Sequence, residues 1–201
     1  MGGTGVFGRA LAERLSALGE EIVIGSRDPS RAEEIAAVIG VEGAKNEEAA
    51  AGADLVILAV RSNAALDTAR AIKPVLQATP LLCVASDLTF TESGVLPGLE
   101  SGSLAERVQE IVDGPVVAGL QSLAAVHLTQ IDPPEEDALV CGDDKRAKGM
   151  VLELADRLVT GRAIDAGPLA NARALEGMTA VILNVNRRYR AHVGIRLVGL
   201  K

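Results

Sequence analysis

The chain has 201 residues, enough to bury one sizeable core in a single domain with at most a small appendage. It is 48% hydrophobic but only 1% aromatic, so its core is built from Ala, Val, Leu and Ile; that favours a layered α/β protein and argues against base-stacking nucleic-acid modules. A net charge of −7 disfavours a broad polyanion-binding face while leaving room for a local phosphate site.

The first predicted element opens on Gly2-Gly3-Thr4-Gly5-Val6-Phe7-Gly8, where Gly3, Gly5 and Gly8 stand in G-x-G-x-x-G spacing. In a dinucleotide-binding turn the first glycine permits the bend, and the second lets backbone approach a pyrophosphate. The third packs the following helix close to the sheet, and the free N–H groups at that helix's N-terminus face the phosphates. A helical pattern (Phe7, Leu11, Leu15, Leu18) starts inside the motif and stops at Gly19. A strand follows at Glu21–Gly25.

What comes after that strand selects the dinucleotide. An NAD site places an acid about 20 residues beyond the motif to accept from the ribose 2′-hydroxyl. Here Ser26 stands in that place, with Arg27 beside it and Arg31 one helical turn on. A hydroxyl and two guanidiniums suit a 2′-phosphate, so the site reads as NADP. Asp28 competes for the acidic role, but Asp28-Pro29 also reads as an N-cap followed by proline at the first helical position. Ser30-x-x-Glu33 offers an alternative capping box.

The glycine motif should follow a buried central strand, yet only Met1 precedes it. The N-terminus is therefore expected to lack about five residues, through a misassigned start or a shortened chain.

The remaining elements alternate between strand and helix, which predicts parallel strands with crossover helices. A helix is expected over 29–39, a short strand over 41–45 and a short helix from Asn46. A buried strand follows over 54–60, then a helix over 63–77 broken near Pro74, and a strand over 80–85. Residues 86–102 are the least regular, and such a segment at the carboxyl end of a strand is where an α/β sheet binds ligand. Beyond it come a helix over 103–112, a strand over 115–119, a short helix or turn from Gln121 and an acidic loop over 130–137. The chain closes with a strand over 138–141, helices over 144–158 and 169–187 flanking a strand over 162–165, and an edge strand over 193–198. The fold class is α/β: a Rossmann-type, doubly wound, mainly parallel sheet over 1–166, with a C-terminal helix and edge strand over 167–201 serving as dimerisation surface or substrate cap.

Acid–base machinery is sparse. Cys83 and Cys141 lie in apolar runs and read as buried small hydrophobes, and no metal-ligand spacing surrounds His127 or His192. An alcohol dehydrogenase needs a base for the hydroxyl proton. Hydride passing between two cofactors needs none, because both rings bring their own electronics. With no signal peptide and no membrane-length apolar run, a soluble cytoplasmic protein is expected.

These residues resemble the NADP-dependent oxidoreductases of the deazaflavin coenzyme F-420. The resemblance rests on Gly2-Gly-Thr-Gly5 with Gly8, on Ile24-Gly-Ser-Arg27 and on Lys45-Asn-Glu-Glu-Ala-Ala50. It continues in Val140-Cys-Gly-Asp-Asp144, Asp165-Ala-Gly-Pro-Leu-x-Asn-x-Arg173, Leu183-Asn184 and Gly194-Ile195. It implies direct hydride exchange between nicotinamide and deazaflavin, with Thr4 to Phe7 on the pyrophosphate and Ser26, Arg27 and Arg31 on the 2′-phosphate. Val60, Leu123 and Ala125 would lie near the nicotinamide. Three departures from the family pattern border the expected deazaflavin pocket: Arg61, the loop Ala85-Ser-Asp-Leu-Thr89, and Gln121. The alternatives are an NADPH-dependent reductase of a small imine or carbonyl compound, with His127 or Asp87 as proton donor, and a non-enzymatic NADP(H)-binding module. Apolar residues on related faces of the 169–187 helix predict a homodimer through the C-terminal segment.

Overall fold

The computed structural model describes residues 1–200. Its glycine turn leads into α1 (Val6–Ala17), whose Gly8, Ala10, Leu11, Ala12 and Leu15 are buried. β1 (Val23–Ser26) then runs to α2 (Pro29–Ile39). Asp28 is the N-cap of α2: its carboxylate accepts from the Ser30 and Arg31 N–H groups, Pro29 occupies the first turn, and Gly40 at φ +83° closes the helix. Asp28 therefore serves as the helix cap through its Oδ1, which takes both N–H groups.

β2 (Glu42–Lys45), α3 (Asn46–Ala50), β3 (Val56–Leu58), α4 (Ser62–Leu76) and β4 (Leu81–Cys83) complete the first half. A hairpin of β5 (Leu88–Thr91) and β6 (Gly94–Pro97) follows, then α5 (Leu104–Gln109), β7 (Val116–Gly119) and the short α6 (Ala125–Leu128). β8 (Ala138–Gly142), α7 (Lys145–Leu158), β9 (Ala163–Asp165), a 3-10 turn at Leu169–Asn171 and α8 (Ala172–Tyr189) end the fold.

β3, β4, β7, β8 and β9 form one sheet in the order β3-β4-β7-β8-β9, and β1 pairs with β2 in parallel beside it. Period-two alternation divides the strand side chains between the faces. Leu81, Cys83, Val116, Ala118 and Cys141 pack under α4, α5 and α8. Leu82, Val117, Val140 and Ala138 pack under α1 and α7. Helices on both faces of a mostly parallel sheet make this a doubly wound α/β fold.

Between β1 and β3 lies the backbone of Met1. Its amine donates to Ile57 O at 2.7 Å, its carbonyl accepts from Ala59 N at 2.8 Å, and Gly2 N donates to Gly25 O at 3.1 Å. The first two bonds are the pattern of a parallel ladder that pairs Met1 with Leu58. Met1 thus stands at the carboxyl end of the central strand position that the glycine motif requires.

Four expectations need correction. β8 runs antiparallel to β7, because the connection over 120–137 returns the chain without a full crossover. α4 is not broken at Pro74, which sits in the last turn, where the lost N–H bond frees one carbonyl near the helix end. Residues 86–102 contain the β5–β6 hairpin. Residues 193–198 form no strand; instead the tail is pinned by the buried Asp137, whose N–H donates to Ile195 O and whose carboxylate accepts from Leu197 N and Arg162. The Arg162 guanidinium holds the Asp137 carboxyl below its usual range.

Candidate functional site

The glycine turn is built by close backbone approaches. A Cβ on Gly2, whose φ is +83°, would lie 2.5 Å from Ala59 O, and one on Gly3 would lie 2.9 Å from Ile24 Cγ2. One on Gly8 would collide with Gly2 O. These three glycines are demanded by the protein's own packing. Gly5 differs. Its φ of −84° suits any residue, and a Cβ there would meet nothing nearer than Gly2 O at 3.4 Å, an ordinary contact. Gly5 is exposed and caps α1 without a side chain, while the first-turn N–H groups of Val6 and Phe7 have no acceptor in the described residues. No acid sits in that turn, so the positive helix end faces outward unneutralised. Thr4 and Phe7 flank it, both half-buried.

The Gly2–Gly25 hydrogen bond joins this turn to the carboxyl end of β1. Ser26 ends β1, with its Oγ accepting from Asp28 N at 3.2 Å. Arg27 and Arg31 are exposed, and neither guanidinium has a hydrogen-bond or ion-pair partner among the described residues. Asn46, 4% exposed, opens α3 with its Oδ1 buried and unpartnered beside Gly25.

At the sheet's far side, Gln121 follows Leu120, which is held at φ +69°. Gln121 Nε2 donates to Cys83 O at 3.2 Å, tying the carboxyl ends of β4 and β7, while its Oε1 is buried without a donor. Two amide oxygens are thus orphaned, one just after β2 and one just after β7, each lacking a donor that a polar ligand would supply.

A family described as "NADP oxidoreductase coenzyme F420-dependent" matches residues 1–86, from the glycine turn through the carboxyl end of β4. An F420-dependent NADP reductase of Methanothermobacter thermautotrophicus is 34% identical over 221 aligned positions, covering 100% of this chain and 94% of its own. One of Methanocaldococcus jannaschii is 34% identical over 219, covering 100% and 97%. A crystal structure from Arthrobacter sp. FB24, described as a candidate F420-dependent NADP-reductase, superposes with a TM-score of 0.86 at 26% identity over 97% of this chain and 96% of that one. The chain belongs to the F420-dependent NADP reductase family.

In this member of the F420-dependent NADP reductases, the remaining residues expected at the site fall along the carboxyl edge. Val60, half-buried, follows β3, and Ala125 opens α6. Leu123 is committed to the core with Leu11, Leu82 and Val84, so its side chain is packing material. Arg61 is exposed and precedes α4. The loop after β4 is tied to α8: Ser86 Oγ lies 3.0 Å from Thr179 Oγ1, and Asp87 N donates to Glu176 at 3.2 Å.

Both proposed proton donors carry a carboxylate or guanidinium partner, although the Nε2 of His127 has none among the described residues. His127 Nδ1 is bonded to Glu136, and Asp87 forms an ion pair with Arg107 at 2.5 Å. Burial pushes both cysteine thiols up to about 12, so they behave as inert core residues. The described residues hold no cluster of three metal-ligating side chains and no helix long and apolar enough to cross a membrane.

The residue that sequence reasoning missed is Glu176. It is 4% exposed in α8, and burial lifts its carboxyl to about 7 against the pull of three backbone donors, Asp87, Leu104 and Ala105. Leu104 N approaches Oε1 at 2.8 Å and Ala105 N at 3.4 Å. One carboxyl therefore fixes both the ligand-edge loop and the start of α5. A signal existed: Glu176 lies in the Ala172, Leu175, Thr179, Ala180 stripe that faces the core.

Proposed function

We propose that the chain transfers hydride between NADP(H) and the deazaflavin coenzyme. The observation that carries this reading is Gly5, a glycine that nothing in the protein requires, at a helix start whose amides lack acceptors. Gly3 to Gly8 hold the pyrophosphate on the Val6 and Phe7 N–H groups; Ser26, Arg27 and Arg31 take the 2′-phosphate. Val60 and Ala125 border the nicotinamide, and the Gln121 Oε1 receives a donor from a ring or its amide. When both are bound, the nicotinamide and deazaflavin supply the redox chemistry themselves. The protein's part is to stack them and exclude water.

Gly5→Ala tests the turn. Calorimetry should show NADPH binding weakened about tenfold, roughly 1.4 kcal/mol, with thermal stability unchanged. Undiminished affinity would remove the pyrophosphate from this turn.

The proposal extends to a cytoplasmic homodimer in which residues 167–201 form the interface and cap the substrate. Phe90 on the hairpin and Val181 and Tyr189 on α8 are 73%, 61% and 70% exposed. Asn184 clamps that hairpin to α8 through both Val95 backbone groups, at 2.9 and 2.7 Å, so the apolar residues form part of one rigid unit. Light scattering should give twice the monomer mass, falling to the monomer in Val181→Asp.

A further inference from the structure

Glu176 reaches from α8 to two separate stretches of chain and divides its oxygens unequally between them. Oε1 accepts from Leu104 N at 2.8 Å and Ala105 N at 3.4 Å, in the first turn of α5, while Oε2 accepts from Asp87 N alone, at 3.2 Å. The side chain is nearly sealed from water, and no Lys, Arg or His pairs with it among the described residues. The charged groups around it do not neutralise it. On the loop after β4, Asp87 adds a like charge and is itself paired with Arg107 of α5. Arg107 also donates to Ser103 O, and Glu106 of α5 is committed to the Ser103 cap. From β4 and β8 the titratable neighbours are the thiols of Cys83 and Cys141, both neutral. Burial, with Asp87 adding to it, lifts the Glu176 carboxyl to about 7.

A carboxylate accepts on both oxygens, whereas a carboxylic acid turns one of them into a donor. A proton on Oε1 would disturb two N–H contacts and a proton on Oε2 only one, so the acid form keeps α5 and gives up Asp87 N. We propose that Glu176 is a proton-operated latch on the ligand edge: ionised, it holds residues 85–87 against α8, and neutral, it releases them. Acid therefore loosens this loop and alkali fastens it. Asp87 and Leu88 wall a cavity of about 420 Å³ against Asn63, Leu66 and Arg70 of α4, so the latch shapes that cavity. Release is local, because Asp87 O still accepts from Gly98 N and Asn184 still holds the hairpin. That the fastened loop favours the deazaflavin, and not NADPH, rests on the proposed function: the arginines assigned to NADPH follow β1, whereas this loop follows β4.

Residue-resolved amide exchange, corrected for intrinsic rates, reads the latch without any substrate. From about pH 5.5 to about pH 8.5 the Asp87 amide should gain about tenfold in protection, with the Leu104 and Val95 amides changing less than about twofold. Glu176→Gln keeps an oxygen for α5 but turns an NH2 towards Asp87, so its Asp87 amide should be unprotected at both pH values. Kinetics then compare this variant with the unmodified protein at each pH, which cancels any ionisation of the coenzyme. KM for the deazaflavin should be about tenfold higher in the variant at about pH 8.5 and equal at about pH 5.5, with kcat and NADPH affinity within about twofold. Flat Asp87 protection in the unmodified protein, or loss at Leu104 in step with Asp87, would overturn the latch. A KM ratio that is the same at both pH values would overturn its link to the ligand edge. Absence of hydride transfer in the unmodified protein would overturn the proposed function instead, and the amide readings would still decide the latch.

Discussion

Replacing Arg27 and Arg31 together with alanine should weaken NADPH binding by about 100-fold or more and leave NADH binding within about twofold. Each guanidinium that meets a phosphate makes a charge-assisted contact of about 1.5–3 kcal/mol, and the 2′-phosphate is what separates the two nucleotides. Neither arginine pairs with a protein carboxylate, so their removal disturbs no described fold contact, and Asp28 still caps α2. Thermal stability should therefore hold while selectivity collapses. Equal loss for NADPH and NADH would place these side chains away from the 2′-phosphate.

Glu176→Ala should be the most damaging single change outside the glycine turn, costing about 3 kcal/mol or more. It strands the N–H groups of Asp87, Leu104 and Ala105 and leaves a cavity beneath α8. Denaturant unfolding measures the loss. The same carboxyl predicts a pH signature. Its folded value of about 7 lies above the ordinary 4.5, so between those limits the folded chain binds more protons than the unfolded one. Its contribution to stability then falls as pH rises from 4.5 to 7, by about 3 kcal/mol. Glu176→Gln keeps two of the three acceptor contacts and should flatten that slope, at the cost of the Asp87 contact in the loop bordering the ligand edge. An unchanged slope would mean Glu176 does not titrate there.

Much of this was readable from residue order alone. Strong local signals acted where they stood: Asp28-Pro29 at a helix start, Gly40 at its end, the continuous apolar run before Val60. The glycine spacing placed the turn, and Ser26 closes β1 with Arg27 and Arg31 following it. What stayed hidden depended on partners distant in sequence. The β5–β6 hairpin has Glu92-Ser93 at its turn, which lacks the Asn-Gly or Asp-Gly signature, and its strands are fixed by Asn184 almost ninety residues later. The tail at 193–198 alternates like a strand, yet its hydrogen bonds go to Asn186, Asp137 and Arg162 instead of a ladder. Pro74 reads as a breaker in the sequence, yet in the last turn of α4 its missing N–H costs one bond and the helix runs on to Leu76. Glu176 belongs to no sequence motif, and only the packing of α8 onto α5 and the loop after β4 reveals its three donors.

The account's central claim is that two cofactors meet on this carboxyl edge and exchange hydride without a protein acid or base. Its most direct test is the deazaflavin absorbance band, followed after mixing the protein with NADPH and the oxidised coenzyme. The band should bleach in step with NADPH oxidation, far faster than with NADH, and should do so in the His127→Ala and Asp87→Asn variants as well. No bleaching with NADPH, or equal rates with NADH, would contradict it.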